Sequence, residues 1–230
     1  MRKAVVHIIE SPSAEDFFNS RHEGSTLKAA LTHAGVPATL RTVVDFKHFV
    51  GALVEVMSDE PDTYPIVHFS MHGNATGVCL TSNEVFDWKA LGGGLCDVND
   101  ALGGMLLVSM STCSGFEGIA MAHRDDGEPF FALVGPQKSI SWADTLASFT
   151  SFYHHIVARD GAIVRGVELM NGVLGEELFA CKRADDAKKE WQVARIKKEM
   201  LQRIAERVAK STQPGTQQRS EALRELLART

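Results

Sequence analysis

Two residues in this chain combine reactive side chains with positions that bring them out of a core. His72 is followed by Gly73, and Cys113 by Ser114 and Gly115. Each stands just beyond a short apolar run, residues 65–70 (Pro-Ile-Val-His-Phe-Ser) and residues 105–110 (Met-Leu-Leu-Val-Ser-Met). A thiol with an ordinary pKa of about 8.5 is mostly protonated near neutrality. An imidazole beside it takes that proton and later returns it to a leaving amine, which is the division of labour of nucleophilic acyl transfer. Gly73 lets a substrate approach the backbone closely, and its N–H, with that of Cys113, is expected to stabilise an oxyanion. Cys113 also precedes a helix-like run, whose N-terminal dipole favours negative charge. A lone cysteine commonly serves as a small buried hydrophobe, and Cys79, Cys96 and Cys181 read that way. His-Gly after a strand also reads as a turn. The combination of the two, each at a strand exit, singles out His72 and Cys113.

Such a pair needs neighbouring parallel strands, roughly 5 Å apart, that end together. The patterning supplies them. Residues 4–9, 38–44, 65–70, 105–110 and 130–134 read as short buried strands. Between them lie helix-like runs. One starts near Ser25 with Leu27, Ala30, Leu31 and Ala34 on one face. Another is capped by Asp45, with Phe46, Phe49, Val50, Leu53, Val54 and Met57 at helical spacing. A third carries Trp142, Leu146, Phe149, Tyr153 and Ile156 on one face, and a fourth carries Ile163, Val167, Met170 and Leu174. A small hairpin is expected around residues 78–81. Strands alternating with helices imply an α/β domain with a mostly parallel central sheet covered on both faces. Beyond about Cys181 the composition turns charged. Residues 184–210 read as an amphipathic helix bearing Trp191, Ile196, Met200, Ile204 and Val208. A polar linker over residues 211–219 and a last short helix over 221–228 follow. The expected division is residues 1–180 and a helical extension of residues 181–230.

Bulk properties narrow the function. The 230 residues are 44% hydrophobic and 23% charged, with a formal net charge of −5. No dense basic stripe is present, which argues against nucleic acid as the direct partner. The four cysteines contain no C-x-x-C pair, so no zinc cage is indicated. His68 and His72 would lie about 13 Å apart on an extended strand, too far to share an ion, and the neighbouring His154 and His155 diverge on a helix. No metal and no cofactor is expected. Neither a secretory leader nor an apolar run of membrane-spanning length is seen, so a cytoplasmic protein with free thiols and no membrane partner is expected.

At Ile66-Val67-His68-Phe69-Ser70-Met71-His72-Gly73 and Leu106-Leu107-Val108-Ser109-Met110-Ser111-Thr112-Cys113-Ser114-Gly115 the chain resembles the caspase-like, clan CD, cysteine peptidases. Residues 3–178 match that pattern in order and spacing, and the compact single-chain form is most similar to bacterial CHAT-type proteases. The resemblance implies a three-layer caspase-like fold and a hydrolase that cuts a protein substrate at few sites, in a bacterial antiviral defence or regulated-death pathway. It also implies a substrate pocket. Arg21 and Glu23 lie after the first strand, where relatives place a basic residue for the P1 side chain. Ser141, Trp142 and Asp144 lie in a loop that resembles the family's Ser-Trp-Arg loop. Ser111 occupies the place of a family glutamine and Ala143 that of the arginine, which removes two supports for strict aspartate specificity. Arg21 suits an acidic P1 side chain; Glu23 or Asp144 suits lysine or arginine. In simpler terms, Arg21 and Glu23 form a surface ion pair, Asp144 caps a helix near Thr145, and Trp142 belongs to that helix's buried face. The C-terminal helix is a candidate docking surface for a regulatory protein. Two further readings are a catalytically inactive caspase-like binding module acting through partner association, and a Cys-dependent amidase on small molecules.

Overall fold

The computed structural model describes residues 3–58 and 63–209. Its centre is an α/β sheet, and each element can be traced to its sequence. The β-branched run at the start forms β1 (Lys3–Ser11). Ser13 then caps a short helix, α1 (Ala14–Phe18), and α2 (Glu23–His33) follows. The chain continues through β2 (Ala38–Thr42), α3 (Phe46–Met57), β3 (Thr63–Asn74), β4 (Gly77–Cys79), β5 (Val85–Asp87) and α4 (Trp88–Ala101). Next come β6 (Leu107–Ser111), a 3-10 helix (Gly115–Ala122), β7 (Ala132–Pro136) and α5 (Trp142–Tyr153). A π-helical turn (His154–Ala158), α6 (Ile163–Leu174), β8 (Phe179–Arg183) and α7 (Ala184–Ala209) complete the order.

The strand order is β2-β1-β3-β6-β7-β8. Every pair from β2 to β7 is parallel, and β8 joins antiparallel at the edge. β4 and β5 form an antiparallel ribbon on the far end of β3. Strand alternation divides the core. Val67, Phe69, Met71, Val108 and Met110 pack with Phe49 of α3 and Leu95 of α4. Ile66 and Leu107 pack with Leu27 of α2, Phe149 of α5 and Met170 of α6. Helices therefore cover both faces. Asp45 caps α3 by accepting from the His48 N–H at 2.9 Å, and Phe49 stacks on Phe69 with centroids 5.8 Å apart.

Four features differ from expectation. β3 runs on to Asn74, so His72 lies inside the strand, opposite Cys79 of β4, rather than in a loop. The segment after Cys113 is a 3-10 helix. α1 lies in a stretch for which no element was expected. β8 has no β-branched residue, and its extended form comes from pairing with β7. That pairing carries the sheet past residue 180. By its internal contacts the chain divides into Met1–Ala187 and Lys188–Thr230.

The described part of the second unit is the remainder of α7. Val193, Ile196, Met200 and Ile204 are exposed along it, and the Arg195 guanidinium lies 4.6 Å from the Trp191 ring centroid. The Val208 side chain, the linker over 211–219 and the helix expected over 221–228 lie outside the described residues. Among those residues, no helix is long and apolar enough to cross a membrane.

Candidate active site

The register of β3 against β6 places Ser70 opposite Ser111, so the two strands deliver His72 and Cys113 to one end of the sheet. Both side chains line a cavity of about 50 Å3, together with Glu23, Ser111, Trp142 and Thr145. Cys113 is half-buried. Directly after it, Ser114 takes the left-handed conformation, φ +56°, and turns the chain sharply from β6 into the 3-10 helix. A non-glycine residue holds that conformation only where its surroundings impose it. Among the described residues, thiol and imidazole share the cavity without a direct hydrogen bond.

The His72 side chain is 48% exposed, and its Nε2 donates to Asp16 Oδ2 at 2.7 Å. An ionised carboxylate only accepts, so this contact places the ring proton on Nε2 and leaves Nδ1 as the basic nitrogen. Asp16 is held in turn by α1. Ser13 donates to Asp16 Oδ2 at 2.6 Å and accepts from the Asp16 N–H at 3.0 Å. Arg21 Nε lies 3.0 Å from Asp16 Oδ1. Burial alone would raise the Asp16 carboxyl pKa; hydrogen bonds from Ser13 and His72 and the nearby cations outweigh burial and hold it below the usual range. The sequence carried a signal for this residue. Ser13-Ala14-Glu15-Asp16 is a Ser-x-x-Asp capping box, which marks a helix start.

The substrate-binding candidates separate in space. Arg21 is committed to Asp16 and to Glu15, whose Oε1 lies 3.2 Å from Nη2. It lines an adjoining cavity of about 260 Å3 that also touches Glu23 and Trp142. Glu23 is only 5% exposed. Ser70 and Ser111 each donate a 2.6 Å hydrogen bond to it, one to each carboxylate oxygen. The expected surface ion pair of Arg21 with Glu23 is thus replaced by two separate roles. Burial pushes the Glu23 carboxyl up, against the lowering effect of hydrogen bonds from Ser111, Ser70 and Thr145, and Glu10 adds a repulsive contribution. Glu10 is itself buried and accepts from the Gly24 N–H at 2.7 Å; burial raises its carboxyl too. Trp142 is half-buried and faces both cavities, with its ring 6.0 Å from that of His72. It forms a wall of the groove rather than part of the helix's buried face. Ser141, not Asp144, caps α5. Ser141 Oγ donates to Asp144 Oδ2 at 2.6 Å, so that carboxylate serves the helix end and is not among the cavity's lining residues.

Gly73 has a reason of its own. A Cβ there would collide with the Thr112 side chain and come within 3.1 Å of the Gly77 carbonyl oxygen, so a side chain would force β3 and its neighbours apart. Beyond the expected set, the structure adds Asp16, Ser70 and Thr145. Among the described residues, no group of three or more His, Cys, Asp or Glu is placed to hold a metal ion, and all four cysteines are free thiols. In comparisons with known proteins, no family model matches this chain and no curated protein matches it.

Proposed function

We propose that this chain is a caspase-like cysteine endopeptidase. The reading rests on one observation: Cys113 and the Asp16-bound His72 open into the same cavity, at the carboxyl ends of adjacent parallel strands. His72 Nδ1 takes the Cys113 proton, and Sγ adds to the scissile carbonyl carbon. The C–N bond then breaks as the imidazolium returns the proton to the departing amine, leaving a thioester. Water, deprotonated by the same imidazole, hydrolyses the thioester and regenerates the thiol. The Gly73 and Cys113 amides are the proposed oxyanion donors. The three-layer caspase-like arrangement, a few-site protein substrate, a defence or regulated-death setting and a cytoplasmic location belong to the same reading. Exposed Val193, Ile196, Met200 and Ile204 on α7 favour an accompanying role for that helix in binding a regulatory protein. The same stripe is what a catalytically inactive binding module would use.

The decisive experiment combines a thiol-reactive peptide probe with a peptide library. Labelling at Cys113, and cleavage lost in Cys113→Ala with an unchanged thermal transition, are expected. Undiminished cleavage by Cys113→Ala refutes the assignment.

A further inference from the structure

α3 is apolar on two of its faces. Phe49, Ala52, Leu53 and Val56 pack into the core, yet Phe46, Val50, Val54 and Met57 form a second stripe that is exposed. A helix with so little polar surface is ordinarily covered on both sides. α7 carries a matching exposed stripe, Val193, Ile196, Met200 and Ile204. The steps along α3 are four, four and three residues, and those along α7 are three, four and four. Read in opposite directions, the two stripes have the same spacing. Each is about 17 Å long at 1.5 Å per residue, and its mean step of about 3.7 residues stays close to the helical repeat, so it runs straight along its axis. Charge divides between the same two regions. Residues 1–187 carry a formal net charge of −11 and residues 188–230 one of +6. Asp45 caps the start of α3, and Glu84 accepts from the Phe46 N–H there at 3.1 Å. Arg203 and Arg207 border Ile204 at the far end of the α7 stripe.

We propose that α3 of one copy of this chain receives α7 of a second copy, antiparallel, in a two-fold dimer. Phe46 then meets Ile204, Val50 meets Met200, Val54 meets Ile196 and Met57 meets Val193. This direction also brings Arg207 to the acidic start of α3, and the opposed helix dipoles favour it. Both stripes are exposed in the single chain, so the match is made between chains. A two-fold axis repeats the contact, with each copy giving one α7 and accepting one. The occupant is this chain rather than another acidic protein because apolar stripe, mirrored spacing and opposite charge all stand in one sequence. The inference gives the regulatory partner proposed for α7 an identity, and it stands apart from the chemistry of Cys113.

Sedimentation of the full-length chain over a wide range of protein concentration reads the proposal directly. Wild type is expected to pass from monomer to dimer as concentration rises, and added salt is expected to weaken that dimer, because the bordering charges are screened. Val54→Glu and Ile196→Lys are each expected to raise the dimer dissociation constant at least about tenfold, since each sets a charge against an apolar side chain twice per dimer. Both positions are exposed, so the thermal transition of the monomer is expected to stay within about 2 °C of wild type. Mixed in equal amounts, the two variants are expected to recover a dimer, because the introduced charges then face one another in one contact while the other contact is native. A wild-type chain that stays monomeric at every concentration overturns the proposal, including one that pairs only with a different acidic protein. Either variant dimerising as wild type does overturns it too. A mixture that stays monomeric overturns the antiparallel pairing, and a dimer that salt does not weaken overturns the charge match. Peptide cleavage and labelling at Cys113 are read separately, so failure of the dimer leaves the protease reading standing.

Discussion

β3 carries two histidines whose fates are opposite. His68 is fully buried: its Nδ1 lies 2.8 Å from the Tyr153 hydroxyl, and its ring meets the edge of Phe149 at 4.7 Å. Among the described residues its Nε2 has no partner, and burial alone pulls its pKa from 6.5 down to about 3. His72, two pleat repeats nearer the strand end, is half in water and rests on the Asp16 carboxylate. The residue type and the strand are the same. What separates a neutral packing element from a candidate proton carrier is access to water and an anionic partner that orients the ring. The anionic partner of His72 is supplied by α1, an element of five residues, and not by the strand that holds the histidine.

The contrast is most easily broken at His72 itself. His72→Ala is expected to lower kcat/KM by about 10²- to 10⁴-fold, the usual contribution of a general acid–base group, while its thermal transition stays within about 2 °C of wild type, as for an exposed side chain. A large stability loss with residual activity would mean that the two histidines had been assigned the wrong way round. Asp16→Asn comes next. It keeps the shape of the contact but can hold the wrong tautomer, so a drop in kcat of at least about tenfold is expected with little change in KM. An unchanged kcat would make Asp16 a helix-capping residue and nothing more.

His68 is expected to show itself in stability rather than in rate. The unfolded chain takes up a proton at this residue near pH 6.5, whereas folded His68 refuses it down to about pH 3. Within that window the unfolded state binds more protons, so stability falls as pH falls. Between pH 7 and pH 5 this group alone removes about 2 kcal/mol, read by urea unfolding at the two pH values. His68→Phe abolishes that component of the slope whatever its effect on stability at pH 7. An unaltered slope would show that His68 titrates normally and is not sealed in the core.

The split was partly visible in the amino-acid sequence. The apolar runs located β1, β3 and β6, and Asp45 announced α3, because each signal is local. The shared placement of His72 and Cys113 at one end of the sheet was legible for the same reason: both lie just past an apolar run. Asp16 was missed because its role depends on a contact across the fold, although Ser13 three residues earlier marked the helix that holds it. Glu23 was read correctly as an acid near the first strand's exit and incorrectly as an exposed one. Its hydrogen-bond partners Ser70 and Ser111 come from β3 and β6, which no periodicity within α2 reveals. Asp144 illustrates the converse. Ser141 and Asp144 form the same Ser-x-x-Asp box as Ser13 and Asp16, yet the carboxylate of one box reaches a histidine and that of the other stays at its own helix end. The motif specifies a helix start, and the tertiary position of that start decides whether chemistry follows.

The smallest expected effect concerns the residue beside His72. Gly73 was singled out for substrate approach, and the structure adds a packing demand from Thr112. Gly73→Ala is expected to cost about 1–3 kcal/mol, the usual range for overpacking, because the new methyl group meets the Thr112 side chain. Thr112→Ala in the same chain removes the obstacle and should restore much of the lost stability. The double variant then isolates the catalytic question. If its kcat recovers together with its stability, glycine at this position serves only the packing of β3 against Thr112. If stability returns and kcat stays low, the backbone at position 73 has to be bare where the scissile carbonyl docks, and the exposed histidine would act beside a substrate-contacting amide that its buried counterpart lacks.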